Sequence, residues 1–434
     1  MKRPRAGSTP AVWFAAWCLA AVSAACAESP TPSGTSVVDS AGVRIVTNPS
    51  EAVAAAEQWT LSADPMIEIG GGANPEVPLY QVTAVQPHEE GRVAVGTNSP
   101  ARALVFEADG SLAVTLGREG DGPGEFWNVA SVVALASDSI LVWDRDRRRI
   151  AVFTGEGVYS READLSESVS LSPFAAPSTS VPAGFTSLVP LTLGTIAVFS
   201  VGVWGGDAAS LSEPIVTRAE LPSRRIDSEG VTLASYGSFP GAEFYYAPGI
   251  GTAPYAFGAT TSGAGSGDAL VVGTGESPEV RFYGPDGALD RIVRWGDSDR
   301  SVVGSALLVD YRRWLDGQLA RREPAERASL REIFDAIPYP ELFPAFGTVV
   351  SDRNAGEVWV GEYPGQLELM GLTPEVRSMP ARDWLVFGAE GTIVATVRTP
   401  AQFEPGAVRG DRVWGVFRDE LDVESVRACR ITKP

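Results

Sequence analysis

Short segments in which apolar residues alternate with other residues recur along this chain, each introduced by a glycine or an aspartate. Residues 91–95 read Gly-Arg-Val-Ala-Val, and five segments share this form: 138–142, 194–198, 268–272, 356–360 and, more loosely, 411–415. Side chains of a strand point alternately to the two faces of a sheet, so this period predicts β-strands. The leading Gly or Asp is typical of a turn. The pattern therefore predicts six copies of one hairpin element.

A second apolar segment ends in an aromatic residue and is followed by an acidic residue and a glycine. It occurs at 103–106, 150–153, 280–283 and 384–387. The acidic-Gly pair favours a tight turn into the next strand, and the aromatic ring is expected to fill the space between adjacent sheets. Each repeat therefore contains about four short strands, which is the size of one blade of a β-propeller.

The third repeat is stretched between Glu220 and Phe257. It contains Phe-Pro-Gly-Ala-Glu-Phe at 239–244, similar to Gly-Pro-Gly-Glu-Phe at 122–126. Three tyrosines follow, and we predict them as ligand- or partner-binding residues: Tyr245, Tyr246 and Tyr255.

Residues 301–337 are the only clear helical stretch. Apolar residues fall on one face at helical spacing, namely Leu307, Leu308, Tyr311, Trp314, Leu315 and Leu319. Pro324 suits the first turn of a second helix. We predict a helical hairpin that packs over one blade or over the channel end; the alternative is a lid or a partner surface.

The N-terminus has the features of an export signal. Lys2, Arg3 and Arg5 form a basic start, and residues 11–22 form an apolar segment too short to span a membrane as a mature helix. Small residues lead to Cys26. This end resembles a bacterial lipoprotein signal.

The lipoprotein resemblance implies a signal peptide over 1–25, acylation of Cys26 and a flexible tether over 26–41. The lipid would then be the only attachment to a membrane, which in a bacterium with two membranes implies the outer membrane. Ser23 stands where leucine is usual. The alternative is ordinary cleavage near residue 25 or 27, which would leave a periplasmic or secreted protein.

The repeats resemble those of bacterial six-bladed β-propellers, similar to NHL-repeat proteins, which are often lipoproteins. The residues that carry the likeness lie at 117–126, 142–153 and 411–431. The resemblance implies an all-β fold, a six-bladed β-propeller over 42–434 with the helical insertion at 301–337. It says little about activity, because such propellers host many functions.

Charge and composition exclude several classes of partner. The chain has 54 acidic and 35 basic residues, a formal charge of −19, and removal of residues 1–25 would make it −22. So much negative charge argues against nucleic acid and against docking on anionic lipid. The single histidine, His88, cannot form a His-rich metal site, and we expect it to be a solvated turn residue.

No spacing of residues identifies a catalytic, cofactor or metal site. There is no GxSxG motif, and Cys429 is expected to be a buried apolar residue rather than a reactive thiol. Carboxylates are plentiful, including Asp144, Asp146, Glu243, Asp352 and Glu362. The charged run 144–149 is expected to be a solvated hairpin turn with mutual ion pairs, or else an anion-recognising patch.

These observations predict an exported, lipid-anchored binding or scaffold module for a protein, small-molecule or glycan ligand. The alternative is a metal-dependent, calcium-type hydrolase resembling lactonases, with its site in the propeller channel. Three or four acids and an asparagine facing the channel would favour the enzyme, and a dry or aliphatic channel with an exposed aromatic patch would favour binding.

The chain ends are expected to close the ring. The last repeat contains two convincing strands, at 412–417 and 423–431, whereas a blade needs about four. We expect strands at 43–48 and 59–70 to complete it; the alternative is that residues 42–70 form a linker with a loose strand. The turn at 120–126 is expected to be structural, because its glycines permit unusual backbone angles.

Overall fold

The computed structural model describes residues 34–72, 77–88, 91–135, 138–166, 188–200, 212–248, 251–296, 302–363 and 379–434. Cys26 and the predicted signal peptide lie outside these residues. Strands dominate the described chain and form six antiparallel units. Among the described residues, no helix combines the length and the apolar character needed to cross a membrane.

Units 1 to 3 follow one another along the chain. Unit 1 comprises Val82–Pro87, Val93–Asn98, Ala101–Phe106 and Leu112–Leu116. Unit 2 comprises Val129–Ala134, Ile140–Asp144, Arg149–Phe153 and Tyr159–Asp164. Unit 3 has a fifth strand and comprises Leu188–Pro190, Ile196–Phe199, Ile215–Ile226, Thr232–Ala247 and Gly251–Pro254.

Units 4 to 6 occupy the C-terminal part of the chain. Unit 4 comprises Ser262–Ser266, Ala269–Gly273, Glu279–Tyr283 and Leu289–Trp295. Unit 5 comprises Val349–Asp352, Glu357–Gly361, Arg382–Phe387 and Ile393–Thr399. Unit 6 comprises Phe403–Arg409, Arg412–Arg418 and Glu424–Thr432, to which the N-terminal strand Ile67–Gly70 adds.

The predicted hairpin pattern is confirmed. Each of the six Gly/Asp-led segments lies in the second strand of its unit, and each of the four aromatic-ended segments lies in the third. The aromatic residues that end these segments are buried or half-buried between neighbouring units, as expected for large rings that fill inter-sheet space.

Six apolar clusters join the units in a ring. Each cluster is built from two neighbouring units, and one of them joins unit 6 back to unit 1. The first strand of each unit contacts the first strands of both neighbours, which closes the cycle at the centre. The architecture is a β-propeller, as predicted. The number of six blades stays a prediction, which the six units support.

The chain ends close the ring, as predicted. Ile67–Gly70 pairs antiparallel with Glu424–Thr432, with Ile69 opposite Val426. The placement of residues 43–48 in the same blade is wrong, because Val43–Asn48 pairs in parallel with the outer strand of unit 4.

The other N-terminal strands also pair with outer strands. Ser36–Ser40 pairs with Val43–Asn48, so the predicted tether ends before Ser36. After the short helix α1 (Ser50–Ala54), Glu57–Leu61 pairs with Ile393–Thr399 of unit 5 and also contacts unit 6. The N-terminal segment thus covers strand edges of three units, edges that would otherwise be exposed.

The predicted helical hairpin is present as α2 (Ser305–Ala320) and α3 (Pro324–Ala336). Tyr311, Leu315 and Leu319 are buried, and Pro324 occupies the first turn of α3. The hairpin packs on the long strands of unit 3 and on Phe257, not over the channel. Desolvation raises the pKa of Tyr311, its ring lying edge-on to Phe257 with the centroids 5.3 Å apart.

The turn at 117–126 is held by its own side chains. The Glu125 carboxylate accepts hydrogen bonds from the Gly122 N–H and from Arg118 Nε, both at 2.7 Å, and Phe126 is fully buried. The similar sequence at 239–244 is not a second such turn, because it lies within the strand Thr232–Ala247.

The charged run at 144–149 fastens this turn to unit 2. Arg149 donates to the carbonyl oxygens of Gly122 and Glu125 at 3.1 and 2.6 Å. The Asp144 carboxylate is fully buried and accepts the backbone N–H groups of Trp127, Asn128 and Arg147. Burial nevertheless raises the pKa of Asp144. The expectation of a solvated turn is therefore wrong for Asp144.

Substitution of Gly117 by valine is expected to destabilise the fold by roughly 2–4 kcal/mol. Gly117 has φ of 66°, and an added Cβ would overlap the Gly124 carbonyl and the Phe126 ring. Gly122→Val should cost less, because Gly122 does not have positive φ and its added Cβ would lie 3.1 Å from a Glu125 side-chain oxygen, whereas the Cβ at position 117 would overlap a backbone oxygen. Thermal unfolding of both variants tests this; equal losses would contradict the structural account of the turn.

Candidate ligand-binding channel

The first strands of the six units enclose one central channel. Its volume is about 240 Å³, and it is lined by residues 83–87, 130–132, 188–190, 263–265, 349–354 and 406–409. Two thirds of these residues are apolar or glycine. Because all six units contribute to it, the wall is fixed by closure of the ring.

Hydroxyl groups of the wall join neighbouring units. Thr83 of unit 1 donates to the Val129 carbonyl at 2.6 Å, and Ser351 of unit 5 donates to the Gly265 carbonyl at 2.6 Å. Ser131 donates to the Leu188 carbonyl at 3.4 Å. Since the hydroxyl protons of Thr83 and Ser351 are already used between strands, these two residues stabilise the ring.

At one end of the channel, Asp352 ties two strand ends together. Its carboxylate is 3% exposed; one oxygen accepts the N–H groups of Asn354 and Ala355 at 2.9 and 3.1 Å, and the other accepts the Gly410 N–H at 2.7 Å. The side chain therefore holds the ends of Val349–Asp352 and Phe403–Arg409 next to each other.

Two arginines lie at the strand ends that Asp352 joins. Arg353 and Arg409 are both half-buried and both line the channel. Arg353 Nη1 donates to the Leu191 carbonyl of unit 3, and Arg409 Nη1 donates to the Pro87 carbonyl of unit 1, each at 3.4 Å. We call this part of the channel, with Arg353, Asn354 and Arg409, the arginine end.

The arginine end has an excess of positive charge. Desolvation lowers the pKa of Arg353 most, the Arg409 guanidinium lowers it further, and Asp352 opposes them. Among the described residues, neither arginine has a carboxylate within 4 Å. Sequence reasoning missed both residues. The only signal in the sequence was that the first strands of units 5 and 6 each end at or next to an arginine. That signal indicates a site only when the structure shows that the two strand ends lie next to each other.

The acidic residues considered from sequence do not gather in the channel. Among the described lining residues, Asp352 is the only acid. Asp144 holds the turn beside unit 2, and Glu243 accepts the Ala259 N–H at 2.7 Å. In the described ranges, no three His, Cys, Asp or Glu side chains are close enough to hold a metal ion. The described wall therefore does not supply the acid cluster that a metal-dependent hydrolase would need.

Two of the three predicted binding tyrosines are buried. Tyr245 is 4% exposed, packs against Ile337, and donates its hydroxyl to the Ala336 carbonyl at 3.2 Å. Tyr246 is 9% exposed. Tyr245 thus contributes to docking of the helical hairpin on unit 3.

Tyr255 lies in a second cavity, between unit 3 and the segment after α3. This cavity has a volume of about 320 Å³ and is also lined by Glu243, Phe257 and Leu342. Burial, and then the nearby Glu243 carboxylate, raise the pKa of Tyr255. Of the three tyrosines, Tyr255 is the one that lines a described cavity, and its binding role stays a prediction.

The remaining candidates are placed away from the channel. His88 is 6% exposed, so the expectation of a solvated histidine is wrong; its Nε2 lies 3.9 Å from an Asp138 oxygen. Cys429 is buried as expected, and burial raises the pKa of its thiol. The predicted lipidation residue Cys26 lies outside the described residues.

Comparison with known proteins places the chain in no family. No family model and no curated protein matches it. Among solved structures it is similar to a DUF4221 family member from Bacteroides vulgatus, at 10% identity and a TM-score of 0.48, covering 87% of this chain and 99% of that one. A Bacteroides fragilis protein predicted to be exported is 11% identical, with a TM-score of 0.47 and coverage of 89% and 99%. Virginiamycin B lyase from Staphylococcus aureus is 10% identical, with a TM-score of 0.38 and coverage of 86% and 100%. Likenesses this weak assign neither a family nor a function.

Proposed function

We propose that this chain is an exported, lipid-anchored, six-bladed β-propeller that binds a small ligand in its channel and serves as a binding or scaffold module. The observation that carries the proposal is the chemistry of the channel wall. Two thirds of its lining residues are apolar or glycine while its accessible surface is polar and apolar in about equal parts, the hydroxyl donors of Thr83 and Ser351 are used between strands, and its only described carboxylate is bonded to backbone N–H groups. Such a wall suits binding better than acid–base chemistry, which needs available titratable groups.

Filling the channel tests the binding role. Ala407 lines the channel and is half-buried, and it belongs to none of the six apolar clusters between units. Ala407→Trp is expected to abolish the thermal stabilisation that wild-type protein shows with any ligand found in a panel of neutral and charged small molecules and glycans. The matched control is Ala320→Trp at the exposed end of α2. Ligands that stabilise Ala407→Trp as much as wild type would contradict binding in the channel.

The anchor is tested separately. The basic start, the short apolar segment and the small residues before Cys26 support acylation of that cysteine. Because each buried CH₂ of an acyl chain contributes about 0.8 kcal/mol, several chains would hold the protein firmly on a membrane. In cell fractionation, wild type is expected with the membranes and Cys26→Ser in the soluble fraction. Recovery of both as soluble protein would refute the anchor and leave a secreted or periplasmic protein.

A further inference from the structure

The arginine end of the channel has more hydrogen-bond donors than the protein itself uses. A guanidinium carries five N–H donors in a planar fork. Among the described residues, Arg353 and Arg409 each make one side-chain hydrogen bond, to a carbonyl oxygen at 3.4 Å. That distance is beyond the usual range of about 2.7–3.2 Å for an N–H···O bond. Most of the donors are therefore available to a ligand.

The protein also holds the backbones of the two arginines next to each other, while their side chains reach toward different units, Arg353 toward unit 3 and Arg409 toward unit 1. The Asp352 carboxylate fixes the backbone of both strand ends, and the Arg353 carbonyl oxygen accepts the Gly267 N–H at 2.9 Å. The two half-buried arginines at these adjacent strand ends repel each other, Asp352 offsets part of this repulsion at Arg353, and no described carboxylate lies within 4 Å of either guanidinium. A ligand that brought negative charge to this position would remove the repulsion.

The positive charge of the arginine end is unusual for this acidic chain. The formal net charge is −19, yet the two arginines and the one carboxylate of the arginine end sum to a single positive charge. An anion is repelled by the protein as a whole and attracted locally, so a positive position inside the channel selects for an anionic group that fits there.

We propose that the arginine end binds the carboxylate or phosphate group of a small ligand, with the planar forks of Arg353 and Arg409 as donors and the Asn354 side-chain amide beside them. The remainder of the channel, which offers both apolar and polar surface, then contacts the rest of the ligand. This inference rests on the proposed binding function of the channel and names the chemical class of its ligand.

Thermal unfolding with inorganic phosphate and with succinate tests the proposal, using sodium chloride at the same ionic strength as the reference. The variants are Arg353→Gln, Arg409→Gln and the double substitution. The matched control is Arg313→Gln on α2, which removes an exposed arginine paired with Asp310. Wild type and Arg313→Gln are expected to gain stability from one of the two anions. Each channel variant should bind that anion about tenfold or more weakly, since hydrogen bonds to charged groups are the strong ones. The anion that stabilises more identifies the group as phosphate or carboxylate.

Stability without any anion separates binding from a structural role. If the arginines serve a ligand, the double variant should be at least as stable as wild type, because the repulsion is gone. A clear loss of stability in the anion-free variants would assign the arginines to the scaffold and overturn the proposal. An unchanged response to anions in the double variant, or no response in wild type beyond that to chloride, would also overturn it.

A measurement on wild type alone covers the case in which the variants do not fold. Affinity for the stabilising anion should fall about tenfold when sodium chloride rises from roughly 50 to 500 mM, because the contact is between charges. A constant affinity would refute charge recognition. If wild type binds a neutral ligand that Ala407→Trp does not bind, and binds no anion, the proposed anionic ligand class is refuted. The channel would still be a binding site.

Discussion

A chain that begins at Pro78 is expected to aggregate instead of folding cooperatively. It lacks all four N-terminal strands, and with them the partners of the outer strands in units 4, 5 and 6. Val46, Trp59 and Ile69 are 0%, 6% and 0% exposed, and full burial of such side chains contributes about 1.5–3 kcal/mol each. Their loss alone approaches the 5–15 kcal/mol of a typical domain.

The control is a chain that begins at Gly34, which keeps every described strand. It is expected to unfold in one cooperative transition near the wild-type temperature, measured by circular dichroism, and to remain monodisperse in gel filtration. A soluble Pro78 chain with near-normal melting would refute closure by the chain ends. It would mean that the three exposed strand edges are tolerated.

Substitution of Asn48 by alanine is expected to destabilise the protein by about 3–5 kcal/mol. Asn48 is fully buried at the end of Val43–Asn48. Its amide donates to the carbonyl oxygens of Arg294 and Gly391 at 3.2 and 3.0 Å, and its oxygen accepts the Ile393 N–H at 2.9 Å. One side chain thus joins the N-terminal strand to units 4 and 5, and its removal leaves buried backbone groups without partners.

Two further variants sharpen this prediction. Asn48→Asp keeps an acceptor for the Ile393 N–H but turns a second oxygen toward the carbonyl groups of Arg294 and Gly391, so it should be at least as destabilising as alanine. Asn354→Ala is the control: that residue is exposed, and its side chain makes no hydrogen bond among the described residues. It should lie within about 0.5 kcal/mol of wild type in denaturant unfolding. Equal stability of Asn48→Ala and Asn354→Ala would contradict the role of Asn48.

The tyrosines illustrate what sequence reasoning about the site could not decide: Tyr245 and Tyr246 are buried, whereas Tyr255 lines a cavity. Their clustering after an irregular stretch suggested binding, but Tyr245 is used to dock α3 on unit 3. The sequence shows that a residue is tyrosine, but it does not show whether the ring contacts a ligand or a helix. The partner, 91 residues later in the chain, is decided by packing.

Local chemistry determined much of the architecture from sequence alone. The strand period, the turn residues before each hairpin and the aromatic residue at the end of each third strand are short-range patterns, and each repeats often enough to predict the propeller. The helical hairpin could also be predicted from sequence, because apolar residues at helical spacing and a proline in the first turn of a helix are signals contained within single helices.

Only the tertiary structure decided which edges the N-terminal strands cover and what lines the channel. Any open strand edge offers the same backbone groups, so sequence could not distinguish unit 4 from unit 6 as the partner of Val43–Asn48. Arg353 and Arg409 are 56 positions apart in the chain and appear unrelated there. They share one site because ring closure brings two strand ends together and Asp352 bonds across them. Pairing between distant segments, which local propensity does not encode, places the candidate site.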